Sequence, residues 1–202
     1  TPLRVLLVNL MPDKPRVEAQ FARLLAAAPH LVELSFTVPE SHHWRHTDPA
    51  HLSSFYLPWS EARRRDFDAL IVTGAPVETV AFEAVDYWTE VCDMLDWAAG
   101  RNLRSMFVCW AAQAALYHRY VVPKRALPEK RFGVFAHRVF GGSDLLRHVG
   151  GQMPMPVSRT SMVRLIMCRS SRRTSTSTRM PPVSVNFTAL EIRLLRICRS
   201  RV

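Results

Sequence analysis

Cys109 stands between an apolar run and an alanine-rich segment, in the stretch MFVCWAAQAAL at 106 to 116. If the first part is a strand and the second a helix, the thiol lies at a strand-to-helix turn. There, unpaired backbone N–H groups and the helix N-terminus favour negative charge. Such a position lowers a thiol pKa and supplies thiolate at neutral pH. The same N–H groups would stabilise the oxyanion formed when the thiolate attacks a carbonyl, so the chemistry in view is nucleophilic attack by the thiolate. Core packing competes with it, because free cysteine is among the most buried residue types, and spacing alone leaves both readings open. The other cysteines, Cys92, Cys168 and Cys198, have neither zinc-site spacing nor the density of a disulfide scaffold. His42, His43, His46 and His51 have no acid or cysteine partner at ligand spacing and read as surface-loop residues. No metal site is expected.

The elements that would position Cys109 follow a repeating form. RVLLVNL (4 to 10) is a continuous apolar run broken by Met11-Pro12, the pattern of a buried parallel strand ending in a loop. In RVEAQFARLLAAA, Val17, Phe21, Leu24 and Leu25 recur at helical spacing, with Pro15 near the start. LVELSFTV (31 to 38) is a second strand, and residues 39 to 56 read as a long polar loop with one short turn of helix. FDALIVTGAP (67 to 76) repeats the strand-then-turn form. A helix follows with Val85, Trp88, Val91, Cys92 and Leu95 on one face, then the run that carries Cys109. Strand, loop and helix in this order predict an α/β fold, a doubly wound parallel sheet with helices on both faces. Ligands in such folds bind at the carboxyl ends of the strands, where Asn9 to Pro12, Thr73 to Glu78 and Cys109 to Ala111 fall.

Charge divides the chain. Its formal +10 is concentrated in residues 160 to 202, where nine arginines face the single acid Glu191, among twelve serines and threonines. The organisation expected is an α/β domain over 1–159 and an aberrant basic segment over 160–202. In that segment only ALEIRLLRI (189 to 197) looks helical, with Leu190, Leu194 and Ile197 on one side. The break in charge and composition at one point reads as a shifted reading frame in a GC-rich gene, which a DNA read of the gene would test. No run of about 18 uncharged apolar residues and no secretory-signal pattern occurs, so a cytoplasmic protein without a membrane partner is expected.

Six stretches carry a resemblance: NLMPDKPRVEAQFARLL, SHHWRHTDPAHLSSFY, FDALIVTGAPVE, FEAVDYW, CWAAQAALYHRY and LPEKRFGVF. In this order and spacing, over roughly residues 3 to 159, the chain resembles the homoserine O-acyltransferase family of methionine biosynthesis, the branch with a flavodoxin-like, class I glutamine amidotransferase-like fold. The resemblance implies that Cys109 takes an acyl group from acetyl-CoA or succinyl-CoA as a thioester and yields it to the hydroxyl of L-homoserine. No bound cofactor is implied. Lys130 matches the family's substrate-binding lysine, and Ser158 a substrate-contacting serine. Glu78 falls where the family tunes its acyl donor, and glutamate there resembles the acetyl-using members. A carboxylate would also repel the free carboxylate of a succinyl group. Gly74 is expected to contribute an oxyanion-hole N–H, since glycine lets backbone approach the reacting carbonyl closely.

Two departures from the family pattern bear on activity. Ala111 stands two residues after the nucleophile, where the family normally has glycine, and its methyl is expected to crowd the turn at a cost of about 1 kcal/mol without excluding activity. The family's general base is a histidine followed two residues later by glutamate, downstream of the position of Ser158, whereas this chain has no histidine after His148. General-base contributions are typically about 10²- to 10⁴-fold, so transfer to homoserine should be poor. The chain also starts at its first strand, so the family's N-terminal arm is expected to be absent. A homodimer is implied by the resemblance. A glutamine amidotransferase-like hydrolase needs the same downstream pair and is no better served. A non-catalytic binding protein whose arginine-rich segment contacts nucleic acid or acidic partners is the reading from another class. With Phe187 the only aromatic residue in that segment, base stacking has little support and no nucleic-acid partner is expected.

Overall fold

In the computed structural model the described residues are 1–45 and 47–126, together with the backbone of four later strands. β1 (Leu3–Val8) is apolar at all but Arg4 and becomes fully buried from Val5 onward. It lies at the centre of a sheet because both of its faces must be covered. β2 (Val32–Val38) and β4 (Ala69–Val72) flank it in parallel, β3 (Tyr56–Pro58) extends the sheet beyond β2, and β5 (Arg104–Phe107) extends it beyond β4. β8 (Ile166–Arg169) closes the far edge antiparallel to β5, so the order is β3-β2-β1-β4-β5-β8.

Sheet parity sorts the core. Leu6, Val8, Leu70, Val72 and Phe107 face one side. They pack against α3 (Trp59–Ala62), α4 (Trp88–Gly100) and α5 (Trp110–Tyr120) through residues such as Trp59, Val91, Met94, Leu95 and Ala114. Val5, Leu7 and Ile71 face the other side, under Phe21 and Leu25 of α1 (Lys14–Ala26). Helices thus cover both faces of a doubly wound sheet. The strand order reverses between β1 and β4, which opens a crevice beyond their carboxyl ends. Register brings those ends level, since Val8 pairs with Val72 and Val72 with Phe107.

Several expectations change in detail. Leu24 is 71% exposed rather than part of the packed stripe, because it is turned about 100° from Leu25 on the helix. Of the stretch 39 to 56, the described residues up to 48 are loop. α2 (Pro49–Phe55) follows, capped by the Asp48 carboxylate accepting from Ala50 N at 2.9 Å, and Tyr56 opens β3. Val85 precedes α4 as the C-cap of a 3₁₀ turn at Phe82–Ala84. Residues 191 to 193 form a strand, β9 (Glu191–Arg193), not a helix. It lies parallel to β6 (Gly133–Phe140), which pairs on its other side with β7 (Gln152–Val157) in antiparallel fashion. Leu190, Ile192 and Leu194 alternate with Glu191 and Arg193, so this stretch carries a period of two as well as a helical one, and pairing selects between them. Among the described residues no helix is long and apolar enough to cross a membrane.

Candidate active site

Cys109 is the N-cap residue of α5, with φ 54° and ψ −119°. A positive φ is costly for a residue with a side chain and persists only where the surroundings fix it. Here both flanks are tied down. Val108 N donates to Val72 O at 3.0 Å, extending the sheet by one rung, and the Cys109 carbonyl accepts from Ala112 N at 3.1 Å. The strand therefore gives way to the helix across Val108 and Cys109, with the partly buried thiol at the carboxyl edge of the sheet.

Gly74 packs against this elbow from the neighbouring strand. A Cβ on Gly74 would lie 3.0 Å from Cys109 Cβ and 3.4 Å from Cys109 Sγ, so a glycine is what allows the two backbones to meet. Its carbonyl is held by Thr73, whose Oγ1 accepts from Leu10 N at 2.8 Å and donates to Gly74 O at 3.1 Å. Neither the Gly74 N–H nor the Trp110 N–H donates a hydrogen bond among the described residues. Two backbone donors beside one thiol are the components of an oxyanion hole. Glu78 lies four residues beyond Gly74 in a turn closed by Val80 N donating to Val77 O at 3.1 Å. It does not begin a helix. Lys130 and Ser158 lie outside the described residues.

Lys14, which sequence reasoning passed over, is fully buried at the end of β1. Its ammonium donates to Asn9 O at 2.9 Å and Met11 O at 3.1 Å and sits 3.6 Å from the centroid of the Trp44 ring. Burial pushes its pKa down to about 7, against the opposing pull of Glu18. Tyr56 joins the cluster, donating to the Glu18 carboxylate at 2.5 Å and accepting from Asn9 Nδ2 at 2.9 Å; burial, then the Glu18 contact, push its pKa upward. One sequence signal was available. A lysine in the first turn of a helix opposes the macrodipole, so Lys14 at the start of α1 needs another reason to be there.

An aromatic wall joins this cluster to the elbow. Trp44 stacks on Tyr87 with ring centroids 5.9 Å apart, and Tyr87 meets Trp110, the residue after the thiol, at 6.1 Å. His42 stands edge-on to both Trp44 and Tyr87, with Nδ1 2.5 Å from Asp86 Oδ2. His51 reaches Glu18 at 3.0 Å. These histidines are paired with acids, and no group of three metal-ligating side chains occurs among the described residues. A groove of about 940 Å³, lined by Glu40, Trp59, Arg63, Glu90, Asp93 and Arg101 among others, lies over α3 and α4. It includes none of Cys109, Gly74, Glu78 or Lys14, so the elbow lies outside this groove.

The family model described as Homoserine O-succinyltransferase matches residues 1–176. Among curated relatives, Homoserine O-acetyltransferase of Rhizorhabdus wittichii is 48% identical over 164 residues, covering 81% of this chain and 52% of the relative. The protein of the same name from Synechococcus elongatus is 48% identical over 162 residues, covering 80% and 54%. That from Thermotoga neapolitana is 44% identical over 163 residues, covering 81% and 54%. The chain therefore spans about half the length of the curated relatives it matches. With a match that runs from the first strand through the elbow and on to β8, the chain belongs to the homoserine O-succinyltransferase family.

Proposed function

We propose that the protein transfers an acyl group from acyl-CoA to the hydroxyl of L-homoserine, a step of methionine biosynthesis, through a thioester on Cys109. The observation that carries this reading is the elbow itself, a non-glycine residue held at positive φ between strand and helix with Gly74 packed on its thiol. Attack of the Cys109 thiolate on the acyl-CoA carbonyl forms a tetrahedral oxyanion, which the Gly74 and Trp110 N–H groups would receive. Collapse expels coenzyme A as its thiolate, which takes a proton. In the second half, the homoserine hydroxyl loses its proton to a base, attacks the thioester and releases the thiol. The resemblance assigns homoserine binding to Lys130 and Ser158.

Acetyl-CoA is the donor we favour. The curated relatives are named acetyltransferases, and the resemblance assigns Glu78 to the donor-tuning position, where a carboxylate would repel the terminal carboxylate of a succinyl group. The family description names the succinyl reaction, so both donors belong in the test. Intact mass after brief exposure to each donor should show one acetyl group added, absent in Cys109→Ala. A succinyl adduct in place of the acetyl one would reverse the donor assignment. No adduct with either donor would remove Cys109 from the reaction.

A further inference from the structure

The Glu78 carboxylate accepts no hydrogen bond among the described residues, so its position depends on how firmly its turn is held. Lys124, just beyond α5, reaches back to that turn. Its ammonium donates to Val77 O at 3.4 Å and to Val80 O, the carbonyls on either side of Glu78 and Thr79. The same ammonium sits 4.4 Å from the centroid of the Phe82 ring. Phe82 in turn stacks on Tyr117 at 4.7 Å and packs against Trp110 at 5.8 Å. Val77 is anchored against the main core, while Pro76, Thr79 and Val80 are exposed. Burial lowers the Lys124 pKa, and Glu78 and Glu83 oppose that by favouring its charge.

We infer that Lys124 is a positioning residue that straps the turn at 77 to 80 and thereby holds Glu78 where it selects the acyl donor. The inference rests on the donor-selecting reading of Glu78 given above. The physical basis is that a charged donor bridging two carbonyls makes stronger hydrogen bonds than a neutral one. Cation–π contact with Phe82 then ties the strap to the aromatic packing around the elbow.

Amide hydrogen exchange of the full chain, with Lys124→Met and Lys124→Arg beside the parent, tests the strap. Lys124→Met keeps the aliphatic stem and removes the donors. Exchange over 77 to 83 should accelerate about tenfold, which is the scale of a lost charged hydrogen bond, with α4 unaffected. Lys124→Arg should recover much of the protection. Exchange that is unchanged in 77 to 83, or faster throughout the sheet and α4 alike, overturns the strap. Its effect on selection is read from the ratio of Cys109 labelling by acetyl-CoA to that by succinyl-CoA, expected to fall about tenfold in Lys124→Met. If Glu78→Gly moves this ratio and Lys124→Met does not, the role of Lys124 in selection is overturned. If Glu78→Gly leaves the ratio unchanged, it is the reading of Glu78 that fails. Where neither donor labels the parent, the acyltransfer reading fails, and exchange alone decides whether Lys124 holds the turn.

Discussion

Cys92 and Cys109 are both partly buried free thiols, yet their surroundings divide them. Cys92 lies within α4, where burial, with Asp96 and Glu83 adding to it, pushes its pKa up to about 11 and leaves it a packing residue at neutral pH. Cys109 sits on a strained turn with free backbone donors beside it. The contact most sensitive to change is the one with Gly74. A methyl there meets Cys109 Cβ at 3.0 Å, and that Cβ is fixed by the positive φ of its own residue, so neither partner yields cheaply. Gly74→Ala should cost about 1–3 kcal/mol of stability by overpacking and slow acylation of Cys109 by roughly tenfold to a hundredfold through misplacement of thiol and donor. Urea unfolding and the rate of appearance of the acetyl adduct measure the two effects. An unaltered adduct rate would mean that the elbow does not depend on this contact.

At the scale of elements, what positions the site is the level set of strand ends, and these are cross-linked. Thr73, at the end of β4, joins the loop after β1 to the peptide of Gly74 through a single hydroxyl. Thr73→Val preserves shape but leaves Leu10 N–H without its acceptor in a buried place, which costs about 1–3 kcal/mol. Thr73→Ser keeps the hydroxyl and loses only a methyl. Denaturant unfolding should rank Val below Ser; the reverse order would mean that the bridge is incidental. The central strands and the elbow were legible because long apolar runs and the strand-to-helix change leave local signals. Local signals were weaker elsewhere. Residues 49 to 55 carry Pro, His and two serines, a poor helix composition, and α2 forms on its Asp48 cap beside β3. Phe82 to Trp88 continues the apolar spacing of α4, but Val85 is extended at the end of a 3₁₀ turn. Lys14 was missed because its role depends on Trp44 and Tyr56, which only the fold brings to it.

For the molecule as a whole, Lys14 couples the core beneath the site to pH. Burial moves its pKa from 10.5 down to about 7, outweighing the opposing pull of Glu18, while its ammonium contacts two carbonyls and the Trp44 ring. Above that value the folded chain has released this proton while the unfolded chain still holds it, so stability rises with pH by up to about 1.4 kcal/mol per unit. Other groups act in the opposite sense at higher pH. The Cys92 thiol, pushed up by burial from 9.0 to about 11, and the Tyr56 and Tyr87 hydroxyls, pushed up chiefly by burial, ionise first in the unfolded chain. They make stability fall as pH passes 9 and then 10, so the contribution of Lys14 stands clear between about pH 7 and 9. Lys14→Met fills similar volume without a titrating group. The unfolding free energy of the parent minus that of Lys14→Met should therefore rise by on the order of 2 kcal/mol across this window. A flat difference would mean that the two carbonyls and the indole keep Lys14 charged in the folded protein, and that burial is not the dominant influence on it.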